Sequence, residues 1–492
     1  MGILKKLVSQ TAIFGLSSIF GRFLNYLLVP LYTYFFSAAE YGVVSEFYAY
    51  AGFFSVFLLF GFETGYFRFR NKEQPEQDRA YSTALIFIVL INVLFISVIA
   101  LIQQPLSDAL QYAEHPEYVL SFALILMLDA IAALPFAKLR AENKALRFAS
   151  IKIIEILIAV ILSLFFIVYC PKAYAQNPQS WLAWIYYPAF GVGYIFVANL
   201  LASLGKFLLL APQFKSMGWR FDWVLFKQML RYSLPMVVIG FAGIINEMLD
   251  RVLLKHLLPY DNQTKLQMLG IYSACYKLSI LMSLFIQAFR YAAEPFFFSY
   301  SDQNDAKSIY ATVLNFFVIF CVFIFLLVTL FLDFFKYFVG EEFRVGLDVV
   351  PILLMANLFL GIYVNLSIWY KLTDHTLLGA LVSVAGAALT IFLNIQWIPA
   401  FGYIGSAWAT LACYSGMAIV SYLLGQRFYP VKYDLKRLLG YIGLGTTIFF
   451  AYQHLQYINT WPKGLLPATL LLLYILTAIL FEGRTIKRLK AA

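Results

Sequence analysis

Continuous apolar runs of roughly eighteen or more residues recur along this chain from end to end, separated by short polar clusters. Wound as a helix at about 1.5 Å per residue, a run of that length crosses about 30 Å of hydrocarbon. The runs are unbroken and do not alternate apolar with polar, which excludes a membrane β-barrel. The pattern predicts fourteen transmembrane spans at about 11–36, 42–67, 81–103, 119–137, 149–170, 183–210, 232–256, 268–296, 308–332, 347–370, 376–397, 402–425, 438–453 and 465–482. Connections are short, and the longest (103–118, 211–231 and 333–346) leave no room for an extramembrane domain. The fold class is therefore an all-α polytopic membrane protein.

Composition agrees: the 492 residues are 62% hydrophobic and 13% charged, with a mean hydropathy of +0.78, beyond what a soluble core needs. The formal charge of +10 would suit nucleic acid, but its placement argues otherwise. With the N-terminus inside, 24 Lys and Arg fall on the inner side and six on the outer side: Lys172, Lys255, Lys265, Lys336, Arg344 and Lys463. That bias is an orientation signal that puts both termini in the cytoplasm, and no nucleic-acid partner is expected. The first apolar run is too long for a cleaved signal and reads as a retained helix. Lys6 stands where a myristoylation signal needs Ser or Thr.

Short matches recur at one offset. Gly42-Val-Val-Ser45 opens span 2 and Gly270-Ile-Tyr-Ser273 opens span 8, 228 positions later. Pro30-Leu-Tyr32 matches Pro259-Tyr260, and Tyr81-Ser-Thr-Ala84 matches Tyr310-Ala-Thr-Val313, both 229 positions apart. This predicts two parallel six-helix repeats about an axis along the membrane normal, with a transport site between them. Residues 1–215 would form an N-lobe, 216–430 a C-lobe, and 431–492 two added helices with a basic tail.

Ionisable groups inside spans are expensive and mark pathways or partners. Six basic residues lie within spans: Arg22, Lys152, Lys206, Arg251, Lys277 and Arg290. Lys152 and Lys206 lie near predicted cytoplasmic ends, where they are expected to snorkel. On span 1, Ser18, Arg22 and Asn25 share a face, which suits a cavity wall or a small-residue helix contact. On span 7, Asn246 with Asp250 and Glu247 with Arg251 are i,i+4 pairs that would neutralise one another in an ionic knot. On span 8, Arg290 and Glu294 can pair at the same spacing, whereas Lys277 has no acid three or four residues away, and is the best candidate to contact an anion. Among the acids, Glu63, Asp129, Glu247, Asp250 and Glu294 read as countercharges to the basic residues or as carboxylates for proton or Na⁺ coupling.

Catalytic chemistry is not indicated. There is no Gly-rich phosphate loop and no His/Asp/Ser arrangement in a loop long enough to fold over a substrate. Cys170, Cys275, Cys321 and Cys413 are widely spaced and read as apolar packers, and the four His are scattered, so no metal or other cofactor is expected.

Two stretches carry a family likeness: Ser17-Ser-Ile-Phe-Gly-Arg22-Phe-Leu-Asn25 through Pro30-Leu-Tyr32 to Glu40-Tyr-Gly42, and Asn394-Ile-Gln-Trp-Ile398-Pro399-Ala-Phe-Gly402-Tyr-Ile-Gly405-Ser-Ala407-Trp-Ala409-Thr410. The chain resembles the polysaccharide-biosynthesis (O-antigen and capsule flippase) branch of the multidrug/oligosaccharidyl-lipid/polysaccharide exporter superfamily. The second stretch looks like that family's Asn-x-x-x-Ile-Pro-x-x-Gly-x-x-Gly-Ala-Ala-x-Ala-Thr passage, with Ser406 in place of Ala, a change expected to be trivial for close packing. The resemblance implies two lobes around a central cationic cavity in a bacterial cytoplasmic membrane. A polyprenyl-pyrophosphate-linked glycan would cross there by alternating access, with membrane lipids and other polysaccharide-assembly proteins as further partners. Arg22 and Lys277, on spans 1 and 8 where related families carry basic residues, would meet the pyrophosphate, with Arg251 and Arg290. Alternatives are a cation- or proton-coupled drug exporter of the same superfamily, which calls for an acidic or aromatic cavity, and a glycan polymerase, which calls for a large catalytic outer loop. A non-transporting scaffold would leave Lys277 within span 8 as an unexplained cost.

Overall fold

A computed structural model of the chain describes residues 26–72, 77–215, 218, 220–301, 303, 305–455 and 464–491. The chain is all-helical among these residues and forms two compact units, Met1–Gly270 and Ile271–Ala492. The first unit holds α1 (Tyr26–Phe35), α2 (Ala38–Leu59), α3 (Phe62–Lys72), α4 (Gln77–Leu101), α5 (Gln103–Ala109) and α6 (Pro116–Ala141). It continues with α7 (Ala145–Leu164), α8 (Cys170–Gln176), α9 (Gly193–Leu209), α10 (Ala211–Lys215), α11 (Trp223–Leu257) and most of α12 (Asn262–Leu278). The second holds α13 (Ile280–Tyr300), α14 (Ala306–Leu330), α15 (Leu332–Phe335), α16 (Val349–Leu366), α17 (Ile368–Leu372), α18 (Thr376–Phe428), α19 (Leu435–Leu455) and α20 (Leu465–Ala491).

Local chemistry sets the ends of these helices. At the start of α2 the Ser37 hydroxyl accepts from the Glu40 amide at 3.3 Å, and the Glu40 carboxylate accepts from the Ser37 amide at 2.9 Å. This reciprocal pair satisfies two otherwise orphaned donors. Ser37→Ala should therefore lower stability by about 1 kcal/mol, read as a fall in Tm, while Ser37→Thr, which keeps the hydroxyl, should hold it. Phe60 (φ 51°) and Gly61 (φ 68°) take left-handed backbone and separate α2 from α3. Asp222 caps α11, accepting from the amides of Val224 and Leu225.

Eight helices among the described residues are long and apolar enough to cross a membrane, and nine if α12 and α13, bent by 49° at their junction, form one span. One of the eight, α18, has 53 residues and would reach about 80 Å if straight, far more than a bilayer core. It is broken at Gly402 (φ 61°, ψ −144°), and its two limbs run antiparallel. The Ser406 hydroxyl donates to Asn394 Oδ1 at 2.8 Å, the Thr390 hydroxyl lies 3.1 Å from Cys413 Sγ, and Cys413 lies 3.2 Å from the Gly386 carbonyl. Partners thus step backwards along one limb as they step forwards along the other, which yields the predicted spans 376–397 and 402–425. Ser406 is more than a packing substitute, because its hydroxyl satisfies the buried Asn394 amide oxygen, which alanine would leave bare.

The most enclosed helix of the first unit is α6, which packs against α2, α4 and α9. In the second unit that place falls to α14, which packs against α16, α19 and α20. Within the first unit α2 and α12 approach until backbone touches backbone. A β-carbon on Gly42 would stand 2.0 Å from the Leu266 carbonyl oxygen, and one on Gly270 would stand 1.9 Å from that of Ala38. The contact is reciprocal, since 42 and 270, like 38 and 266, are 228 positions apart.

Candidate functional site

Three helices of the first unit bring a chain of charges together. Ser203 and Lys206 lie one turn apart on α9, Lys152 and Glu155 one turn apart on α7, and Asp129 at the middle of α6. The Lys206 ammonium sits 2.6 Å from Asp129 Oδ1 and 2.5 Å from Glu155 Oε1. Lys152 reaches the other oxygen of Glu155 at 3.2 Å, and the Ser203 hydroxyl donates to Asp129 at 2.6 Å. Lys206 was expected to snorkel toward water. Its side chain is instead only 4% exposed, because the facing carboxylates supply the neutralisation that headgroup water would have given. Asp129 differs from its partners, with 46% of its side chain accessible.

A second charged cluster is sealed. The Lys255 ammonium, near the end of α11, lies 2.9 and 2.7 Å from the two oxygens of Glu46 on α2. It also donates to the Leu110 carbonyl at 2.8 Å and lies 4.3 Å over the Tyr112 ring, whose hydroxyl donates to Glu46. Glu46 is wholly buried and Lys255 is 4% exposed. The charge count had put Lys255 among the outer-side cations. What helical spacing could have shown is its burial, because Ala242, Asn246, Asp250 and Leu254 form a buried stripe on α11 that carries Lys255 beside it.

The other candidates fall as follows. Arg22 and Asn25 lie outside the described residues. Arg251 is buried, and its guanidinium pairs with Asp250 at 3.0 Å and donates to the Glu247 backbone carbonyl at 2.8 Å. The charge partner is therefore the adjacent Asp250 and not the carboxylate of Glu247, which is exposed. Glu63 on α3 forms an ion pair with Arg140 on α6. In the second unit Glu294 pairs with Lys371 at 2.6 Å, where pairing with Arg290 had been expected. Arg290 is exposed and lines a small hollow with Glu294, Asn365 and Lys371. Lys277, in the last turn of α12, is half-buried and takes part in an interaction, so it is not the lone cation that its sequence neighbours suggested. All four cysteines are buried, and none forms a disulfide among the described residues.

With this geometry in hand, comparison with known proteins places the chain. Residues 7–301 match the profile of a family described as polysaccharide biosynthesis protein. No curated protein sequence matches. The fold is similar to that of the lipid II flippase MurJ in an inward closed conformation, at a TM-score of 0.72 and 16% identity over 96% of this chain and 99% of that one. It is also similar to an inward-facing multidrug resistance MATE family transporter of the MOP superfamily, at a TM-score of 0.61 and 14% identity over 86% of this chain and 95% of that one. An outward-facing MATE transporter matches at 0.58 and 14% identity over 86% and 96%. The apolar helices make the chain a multi-pass membrane protein with the fold of these transporters, and by the family match it belongs to the polysaccharide biosynthesis proteins.

Proposed function

We propose that this protein is a flippase that carries a polyprenyl-pyrophosphate-linked oligosaccharide across the bacterial cytoplasmic membrane by alternating access, for cell-surface polysaccharide assembly. The family match over residues 7–301 carries this reading. The fold likeness supports it: the match to MurJ takes in 96% of this chain and the match to the inward-facing MATE transporter 86%. Arg22, Lys277 and Arg290 are the proposed pyrophosphate contacts, an anion suiting arginine's planar fork and lysine's point charge. Arg251 is the weakest candidate of the original four, because Asp250 already holds it. Cation- or proton-coupled export of a drug or other small molecule is the second reading, favoured by the accessible carboxylate of Asp129.

The test is translocation of a fluorescent polyprenyl-pyrophosphate oligosaccharide in proteoliposomes, with wild type beside Arg22→Ala and Lys277→Ala. Loss of one charge-assisted contact to phosphate should slow movement about ten- to a hundredfold at unchanged protein level. Wild-type rates in both variants would remove the phosphate-binding role. A wild type that exports a cationic dye and leaves the glycan in place would establish the second reading.

A further inference from the structure

One face of α11 is spent and the other is open. Leu225, Phe226 and Met229 are buried in the core of the first unit, with Phe226 stacked on Phe62 of α3. On the open side Lys227 and Arg231 stand one turn apart, just before the predicted span 232–256 begins. Leu234 and Val238 continue the same stripe into that span, and with Leu230 and Pro235 these residues line an open groove of about 520 Å³. Trp223 heads the stripe, its ring 5.4 Å from the Lys227 ammonium. Trp223, Leu234 and Val238 are 58%, 47% and 58% exposed.

Two properties of this groove call for an anion that carries an apolar chain. Like charges at i,i+4 repel, and among the described residues no carboxylate lies within ion-pair distance of either cation. Asp222, the acid nearest in sequence, turns its carboxylate to the Val224 and Leu225 amides. The second property is length: Val238 lies seven residues beyond Arg231, about 10 Å along the helix, and the strip between them is apolar. A free phosphate would fill only the charged end.

We infer that this groove holds an anionic phospholipid of the surrounding leaflet, its phosphate between Lys227 and Arg231 and one acyl chain along Leu234 and Val238. The planar guanidinium of Arg231 suits two phosphate oxygens, and the Lys227 ammonium adds a point charge. The bound phosphate cancels the repulsion between the two cations and holds this end of α11 at headgroup depth. Basic side chains beside apolar surface recognise anionic headgroups in this way. Trp223 suits the same interface, with an apolar ring and one N–H donor. On the orientation that the charge count predicts, the lipid belongs to the cytoplasmic leaflet. The inference is independent of what the protein transports.

Photocrosslinking of the full-length protein in nanodiscs tests it. The probe is phosphatidylglycerol with a diazirine in one acyl chain, and mass spectrometry of the digest locates the adduct, expected on residues 230–238. Unlabelled phosphatidylglycerol should compete, whereas phosphatidylcholine with the same chains and inorganic phosphate should not. Lys227→Gln and Arg231→Gln should each raise the phosphatidylglycerol fraction needed for half-maximal labelling about fivefold. Lys227→Arg should hold it. Lys436→Gln, which removes an exposed cation of α19, should leave it unchanged and so separates this groove from the general attraction of a basic surface. Equal labelling by phosphatidylcholine, or labelling indifferent to the two Gln substitutions, overturns the site and leaves a face that meets any lipid. Displacement by inorganic phosphate overturns the acyl-chain strip. Displacement by a polyprenyl pyrophosphate at lower concentration than by phosphatidylglycerol overturns the phospholipid and gives the groove to the lipid-linked substrate. Loss of the flippase reading in its own translocation assay would leave each of these results standing.

Discussion

Glu46→Ala should destabilise the first unit by about 3–5 kcal/mol, the usual cost of removing one partner from a buried ion pair. Glu46 is wholly buried and Lys255 is 4% exposed. Its loss strands an ammonium whose remaining partners, the Leu110 carbonyl and the Tyr112 hydroxyl, carry no neutralising charge. The sign reverses when both charges go: Glu46→Leu with Lys255→Met replaces the pair with apolar volume, and the double variant should lie within about 1 kcal/mol of wild type. Thermal unfolding of the purified protein, followed by tryptophan fluorescence, reads both. Equal stability of Glu46→Ala and wild type would mean that water reaches this cluster.

The fold class was legible because apolar length is a one-dimensional property: a run of about twenty apolar residues declares a span before anything is known of its neighbours. The limbs of α18 were legible for the same reason, with Gly402 marking the break between them. Charge pairing was much less so, because spacing along one helix reveals only the partners on that helix. Arg290 and Glu294 satisfied the i,i+4 rule, yet Glu294 turned to Lys371, 77 positions away. Lys206 looked like a cation near a membrane face until α6 and α7 placed two carboxylates beside it. Lys255 was counted among the helix-end cations, and only its place beside the buried stripe of α11 could have foretold its burial against Glu46. Ser406 was dismissed as small for small, because its partner Asn394 lies across a turn that the motif spells but does not fold on paper.

Alanine at Gly42 or Gly270 should be the most damaging small substitution in the first unit. A β-carbon at either position would meet a main-chain carbonyl oxygen at about half the normal contact distance, 2.0 Å for Gly42 and 1.9 Å for Gly270. A clashing side chain can rotate aside, but these obstacles are Leu266 and Ala38 backbone, so α2 and α12 must separate. Overpacking of this kind costs about 1–3 kcal/mol, and with no rotamer to yield the upper end is expected. The reciprocity of the contact makes a sharper demand. Once the helices have parted to admit one methyl group, much of the space for the second already exists, so the double variant should cost clearly less than the sum of the singles. Gly440→Ala and Gly443→Ala in α19 are the controls: nothing lies within 4 Å of either added carbon, and the helix should gain up to about 1 kcal/mol at each. The four single variants and the Gly42/Gly270 double, unfolded side by side in nanodiscs, separate a backbone clash from a general intolerance of change. If the two sets lose stability equally, the close approach of α2 and α12 is not what those glycines are for.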